Sequence, residues 1–92
     1  MAPWRVDLTP AAVRQLRRLR TDELFALRGV ILALADDQHP REARKLNGTD
    51  LWRVRLRIDG APWRIVYQVR SNEQVVIVTR VARRDEATYR KV

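Results

Sequence analysis

Leu51 to Arg70, LWRVRLRIDGAPWRIVYQVR, is the stretch whose reading decides the fold. From Leu51 to Ile58 the even positions Trp52, Val54, Leu56 and Ile58 are apolar, while positions 53, 55 and 57 are all arginine. Alternation with period two is the mark of a strand with one buried face. After Asp59-Gly60-Ala61-Pro62 the pattern resumes, with Trp63, Ile65, Tyr67 and Val69 on one face and Arg64, Val66, Gln68 and Arg70 on the other. The segment therefore predicts a β-hairpin with an apolar face and an arginine face. The apolar faces coincide in two registers. A two-residue Asp59-Gly60 turn, a strong hairpin signal, sets Arg55 opposite Arg64; a four-residue loop sets Arg57 there. In both, arginine faces arginine, which destabilises an antiparallel pair by roughly 0.2–1 kcal/mol. A broken local rule of this kind is expected where the chain binds something, here an anion such as phosphate.

Outward from the hairpin, the 92 residues suit a single domain, 1–92. No apolar run approaches the ~18 residues of a membrane span, no signal peptide is visible, and there is no cysteine. Disulfides and thiolate metal sites are thereby excluded, and the cytoplasm is the expected location. The formal net charge is +8. Residues 41–70 hold eight bases against three acids, whereas residues 1–40 are nearly balanced. The sheet half carries the field, which points to a polyanion or an acidic protein as partner.

Trp4, Val6 and Leu8 alternate with Arg5 and Asp7 as a short first strand. Thr9-Pro10 is a helix start: threonine caps, and proline lacks the amide hydrogen that would be unpaired there. Val13, Leu16 and Leu19 mark one helix. Thr21 or Asp22 caps a second, running to about Ala35, with Leu24, Leu27, Ile31 and Leu34 on one face and Phe25, Val30 and Leu32 beside it. Residues 41–50 read as a polar connection. VVIVTRV, residues 75–81, suits a central strand; a three-residue turn before it would set Arg80 opposite Arg64, with Arg84 on the same side. The fold class is α+β: an antiparallel sheet of about four strands with an N-terminal helical hairpin on one face, in the order β-α-α-β-β-β.

The single histidine, His39, precedes a proline and has no companion ligand, so it reads as a surface residue. No metal site, glycine-rich phosphate loop or serine elbow is present. Trp4, Phe25, Trp52, Trp63 and Tyr67 fall on apolar faces and are assigned to the core. Tyr89 alone lies outside any apolar pattern, near Arg83 and Arg84.

The order of elements, with Lys45-Leu46-Asn47-Gly48, LWRVRLR, WRIVYQV, the valine-rich strand and a final RR…Y, resembles the RelE/ParE superfamily of bacterial toxins over nearly the whole chain. The resemblance is to its RelE branch, which cleaves messenger RNA in the ribosomal A site; the ParE branch inhibits DNA gyrase and lacks the nuclease residues. It implies that Arg53 and Arg55 hold RNA phosphates, with Lys45, Arg57 and Arg83 as further RNA contacts. It also implies that Arg64 and Arg84 stabilise charge at the scissile phosphate and that Tyr89 accepts a proton. The attack of a ribose 2′-oxygen so implied needs no metal or other cofactor. The implied partners are the ribosome with its message and a cognate antitoxin, acidic and partly disordered.

Overall fold

The computed structural model describes residues 3–84. Strand β1 (Arg5–Leu8) leads into α1 (Pro10–Arg17) and α2 (Thr21–Ala33); β2 (Arg44–Lys45), β3 (Leu51–Ile58), β4 (Ala61–Arg70) and β5 (Val75–Arg83) follow. They form one five-stranded sheet in the order β1-β5-β4-β3-β2. The fold is α+β as the pattern implied, with two differences. The polar connection contributes the two-residue strand β2, and β1 joins the sheet parallel to β5 in an otherwise antiparallel sheet.

Helix α1 begins as Thr9-Pro10 dictates: the Thr9 hydroxyl accepts from the Ala12 amide at 3.2 Å. Helix α2 is capped one residue earlier than expected, at Arg20, whose backbone N–H donates to the Glu23 carboxylate at 3.1 Å. One core joins Ala12 of α1, Leu27, Ile31 and Leu34 of α2, and the inward residues Val54, Ile58, Trp63, Ile65, Tyr67, Val76, Val78 and Val81. Trp4 and Trp52 pack partly buried against it, and His39, exposed, meets the Trp52 ring edge-on at 4.3 Å between centroids. Phe25 departs from the expectation: it is 76% exposed, and Leu32 is 52% exposed. The apolar arc of α2 is wider than the surface it covers. Its inner side faces the sheet and its outer side is left bare.

The β3–β4 turn is the two-residue one. Asp59 and Gly60 both take positive φ, 51° and 82°, the primed geometry that matches strand twist. Arg55 therefore pairs with Arg64, and Arg57 with Pro62. The β4–β5 register is not the expected one. The connection is one residue longer, with Arg70 opposite Val75, and the register shifts again between Val66 and Tyr67, which leaves Thr79 as an extra residue in β5. Arg64 consequently faces Ala82, and Arg80 faces Val66. A bulge reverses the side-chain parity of its strand. Here it carries Val81 into the core and returns Arg80 to the opposite face. Local bonds hold it: the Thr79 hydroxyl donates to Val66 O at 3.2 Å, the Thr9 hydroxyl to Thr79 O at 3.2 Å, and the Val81 amide to Gln15 Oε1 at 2.6 Å.

Candidate nucleic-acid interface

The sheet face turned away from the helices is organised in cross-strand rows. One row runs Arg44, Arg53, Val66, Arg80 across β2 to β5; the next runs Arg55, Arg64, Ala82; a third sets Arg57 opposite Pro62, whose carbonyl accepts from the Arg84 amide at 2.8 Å. The floor of this grid is apolar. Val66 is only 6% exposed although it stands on the face away from the main core. Its cross-strand neighbour Arg53 is half-buried, as are Arg64 and Arg84, while Arg44, Arg55, Arg57 and Arg80 are exposed. Arginine stems can cover apolar surface while their heads stay in water.

Among the described residues no acid pairs with Arg44, Arg53, Arg55, Arg64 or Arg80. The ion pairs there join Arg5 to Asp7, Arg20 to Asp22, Glu23 and Asp59, and Arg70 to Glu73. Arg44 and Arg57 instead donate to backbone carbonyls, Arg44 to Arg41 O and Ala43 O, and Arg57 to Gly60 O at 3.0 Å. Burial, followed by repulsion from Arg55, Arg44, Arg84 and Arg64, lowers the Arg53 guanidinium pKa. A lowered pKa on a base means that the native surroundings oppose its charge. The opposition is what an arriving phosphate would relieve, and guanidinium forks match phosphate oxygens in pairs.

The arrangement sorts the residues singled out from the sequence. Arg53, Arg55, Arg64 and Arg84 come together, and Arg57 flanks them, tied to the turn. Lys45 does not join them: it pairs with Trp52 and so shares the helix-side face, while its neighbour Arg44 pairs with Arg53 on the arginine face. Arg83 likewise pairs with Trp63, not with an arginine-face residue. Arg44 and Arg80 are the additions. Arg44 was hidden because a two-residue strand leaves no periodicity to read; Arg80 was placed on the correct face but opposite the wrong partner. Tyr89 lies outside the described residues. Tyr67 has no part in the grid: its hydroxyl donates to Gln38 O at 2.8 Å from within the core, and burial, with Asp37 nearby, pushes its pKa up to about 12. Among the described residues no group of three or more His, Asp or Glu gathers as a metal site.

Comparison with known proteins agrees with this fold. The E. coli toxin in the intact RelBE toxin–antitoxin complex superposes with a TM-score of 0.75 at 25% identity, covering 90% of this chain and 99% of that one. An E. coli RelE mutant in complex with an antitoxin RelBc peptide gives 0.76 at 25% identity, covering 99% and 93%. The archaeal RelE–RelB complex from Pyrococcus horikoshii gives 0.72 at 26%, covering 91% and 98%. A search of curated proteins finds no match. The family described as the ParE toxin of the type II toxin–antitoxin system parDE matches residues 6–88. With that span and this fold, the chain belongs to the RelE/ParE superfamily of type II toxins.

Proposed function

We propose that this toxin acts as RelE-type toxins do, as a ribosome-dependent endonuclease that cuts messenger RNA in the A site. The observation that carries the reading is the gathering of the half-buried Arg53, Arg64 and Arg84 on one sheet face, where Arg53 and Arg64, with Arg44, Arg55 and Arg80, have no acidic partner among the described residues. In the reaction a ribose 2′-oxygen attacks the adjacent phosphorus and the 5′-oxygen departs. A 2′,3′-cyclic phosphate and a 5′-hydroxyl result. Negative charge grows on the phosphoryl oxygens, where preorganised guanidinium groups are most effective. Arg64 and Arg84 fill that role, with Arg53 and Arg55 holding flanking phosphates. The 2′-hydroxyl proton goes to Tyr89, whose role rests on the resemblance, and the leaving oxygen takes a proton from solvent. Arginine stays protonated near neutral pH, so Arg84 acts by charge and not as an acid. The cognate antitoxin is acidic and covers the grid, as the +8 charge suggests; complexes of related toxins with RelB support an antitoxin partner. The site of action is the cytoplasm.

The family match to ParE toxins favours a second reading, inhibition of DNA gyrase without catalysis. Induction of the toxin without antitoxin separates the two, with RNA 5′ ends sequenced for wild type, Arg64→Ala and Tyr89→Phe at matched expression. Codon-phased cuts that fall by roughly 10²–10⁴ in Tyr89→Phe support the nuclease. Intact messenger RNA in every strain, with DNA damage and undiminished growth arrest in Tyr89→Phe, makes the protein a gyrase inhibitor.

A further inference from the structure

Strand β1 ends at Leu8, so among the described residues the outer edge of β5 beyond Val78 has no strand beside it. The Thr9 amide still reaches Val78 O at 3.0 Å. Side chains then take over. The Thr9 hydroxyl donates to Thr79 O at 3.2 Å, and the Val81 amide donates at 2.6 Å to Gln15 Oε1, an acceptor carried by α1. Val81 is 3% exposed, so without Gln15 its N–H would be a buried donor left unpaired. Gln15 thus occupies the place of a missing strand, immediately past the bulge at Thr79.

The register shows what that bulge decides. Val78 pairs with Tyr67, and if the ladder ran on without an extra residue, Thr79 would face Val66 and Arg80 would face Ile65, which lies in the core. A slip of one residue turns every side chain to the other face of a sheet. Arg84 would follow Arg80 to the helix side, and Val81 would stand opposite Arg64 among the arginines. With Thr79 extra, Arg80 faces Val66, Val81 is buried, and Arg84, whose amide donates to Pro62 O at 2.8 Å, stays on the arginine face. Bulges re-aim side chains in this way beside functional sites. We infer that Gln15 is a positioning residue: it fixes the bulge at Thr79, and through it the placement of Arg80 and Arg84 on the arginine face. Gln15 belongs to α1, on the helix side, so it acts on the opposite face only through β5. Its effect on cutting rests on the nuclease reading; its effect on the two arginines does not.

The test compares the purified full chain as wild type, Gln15→Met, Gln15→Glu and Thr79→Val, with circular dichroism to establish folding. The Val81 amide and the arginine Nε–Hε signals are followed by NMR, and messenger cutting is timed on saturating ribosomes. Gln15→Met keeps the side-chain length without the oxygen, Gln15→Glu keeps an acceptor, and Thr79→Val removes the bond to Val66 O from the other side of the bulge. In Gln15→Met the Val81 amide should exchange faster with solvent, and the Arg80 and Arg84 signals should shift while those of Arg53 and Arg55 stay. Thr79→Val should move the same two signals, and Gln15→Glu should restore them. The cutting kcat of Gln15→Met should fall roughly 10–100-fold, by more than KM rises, and recover in Gln15→Glu. A folded Gln15→Met with Arg80 and Arg84 unmoved, or with all four arginines shifted alike, overturns the proposal, as does a Gln15→Glu that restores nothing. If Gln15→Met fails to fold, Thr79→Val decides, and Arg80 and Arg84 signals that stay in place overturn it. Wild type that cuts no message removes the nuclease reading and leaves the arginine signals to decide the role of Gln15. Wild type that cuts, with a folded Gln15→Met cutting as fast, overturns that role and leaves the nuclease reading standing.

Discussion

Arg55 of β3 lies directly across from Arg64 of β4, and neither guanidinium has an acidic partner among the described residues. Under the proposed function, phosphate binding and stability are opposed at this pair. Arg55→Gln should raise the melting temperature, because like charges across a strand pair destabilise by roughly 0.2–1 kcal/mol, and should weaken RNA binding with a shallower salt dependence, by about 0.7 in log–log slope for one lost single-strand phosphate contact. Thermal unfolding and a salt titration of RNA affinity check both halves.

The two faces at β2 make a sharper comparison. Arg44→Gln should weaken RNA binding and reduce its salt slope, since Arg44 pairs with Arg53 inside the grid. Lys45→Gln, one residue away and on the side of Trp52, should change both far less. Equal effects in side-by-side titrations would show that net charge, not placement on the grid, governs binding.

Trp63 is 5% exposed, and its indole N–H is buried without a hydrogen-bond acceptor among the described residues. Trp63→Ala should cost about 3–5 kcal/mol, a large share of the roughly 5–15 kcal/mol that holds a domain folded. Trp63→Phe keeps most of the volume and removes the unpaired donor, so its cost in a urea titration should be smaller.

Tyr67 supplies a pH dependence. Its native pKa of about 12 lies above the ordinary value near 10. The native state therefore holds the phenol proton more tightly than the unfolded chain does. The stability it contributes is intact below pH 10 and declines as pH rises from 10 to 12, by up to about 2–3 kcal/mol at 1.36 kcal/mol per unit. Tyr67→Phe should flatten that decline in denaturant midpoints measured across the window, and should delete a phenolate absorbance step near pH 12.

The parts of the molecule legible in the sequence are those governed by one short-range rule. The alternation of Leu51 to Arg70 gave the hairpin and its two possible registers, of which the structure takes the tighter, with Asp59 and Gly60 at positive φ, and Thr9-Pro10 fixed the start of α1. The bulge at Thr79 was not legible. In VVIVTRV apolar residues fall on both parities, so nothing in the pattern marks where the strand changes face, and the deciding bonds come from Thr9 and Gln15, far away in the chain. The same limit hid Arg44 behind Lys45. Phe25 and Leu32 fit an apolar helix pattern, but the pattern records hydrophobicity and not whether a partner surface exists.

The place of β5 between β1 and β4 bears on how the protein is made. Arg5 pairs with Val75 and Leu8 with Val78, so the first strand waits for the last before it has any neighbour in the sheet. Pairings this distant in sequence are slow to form, since a long loop must close before they yield any contact. On a translating ribosome the wait is enforced. Until residues 75–83 have emerged from the exit tunnel, β1 has no strand beside it, and Arg80 and Arg84 cannot complete the grid. Synthesis itself therefore delays the assembled surface until β5 has emerged.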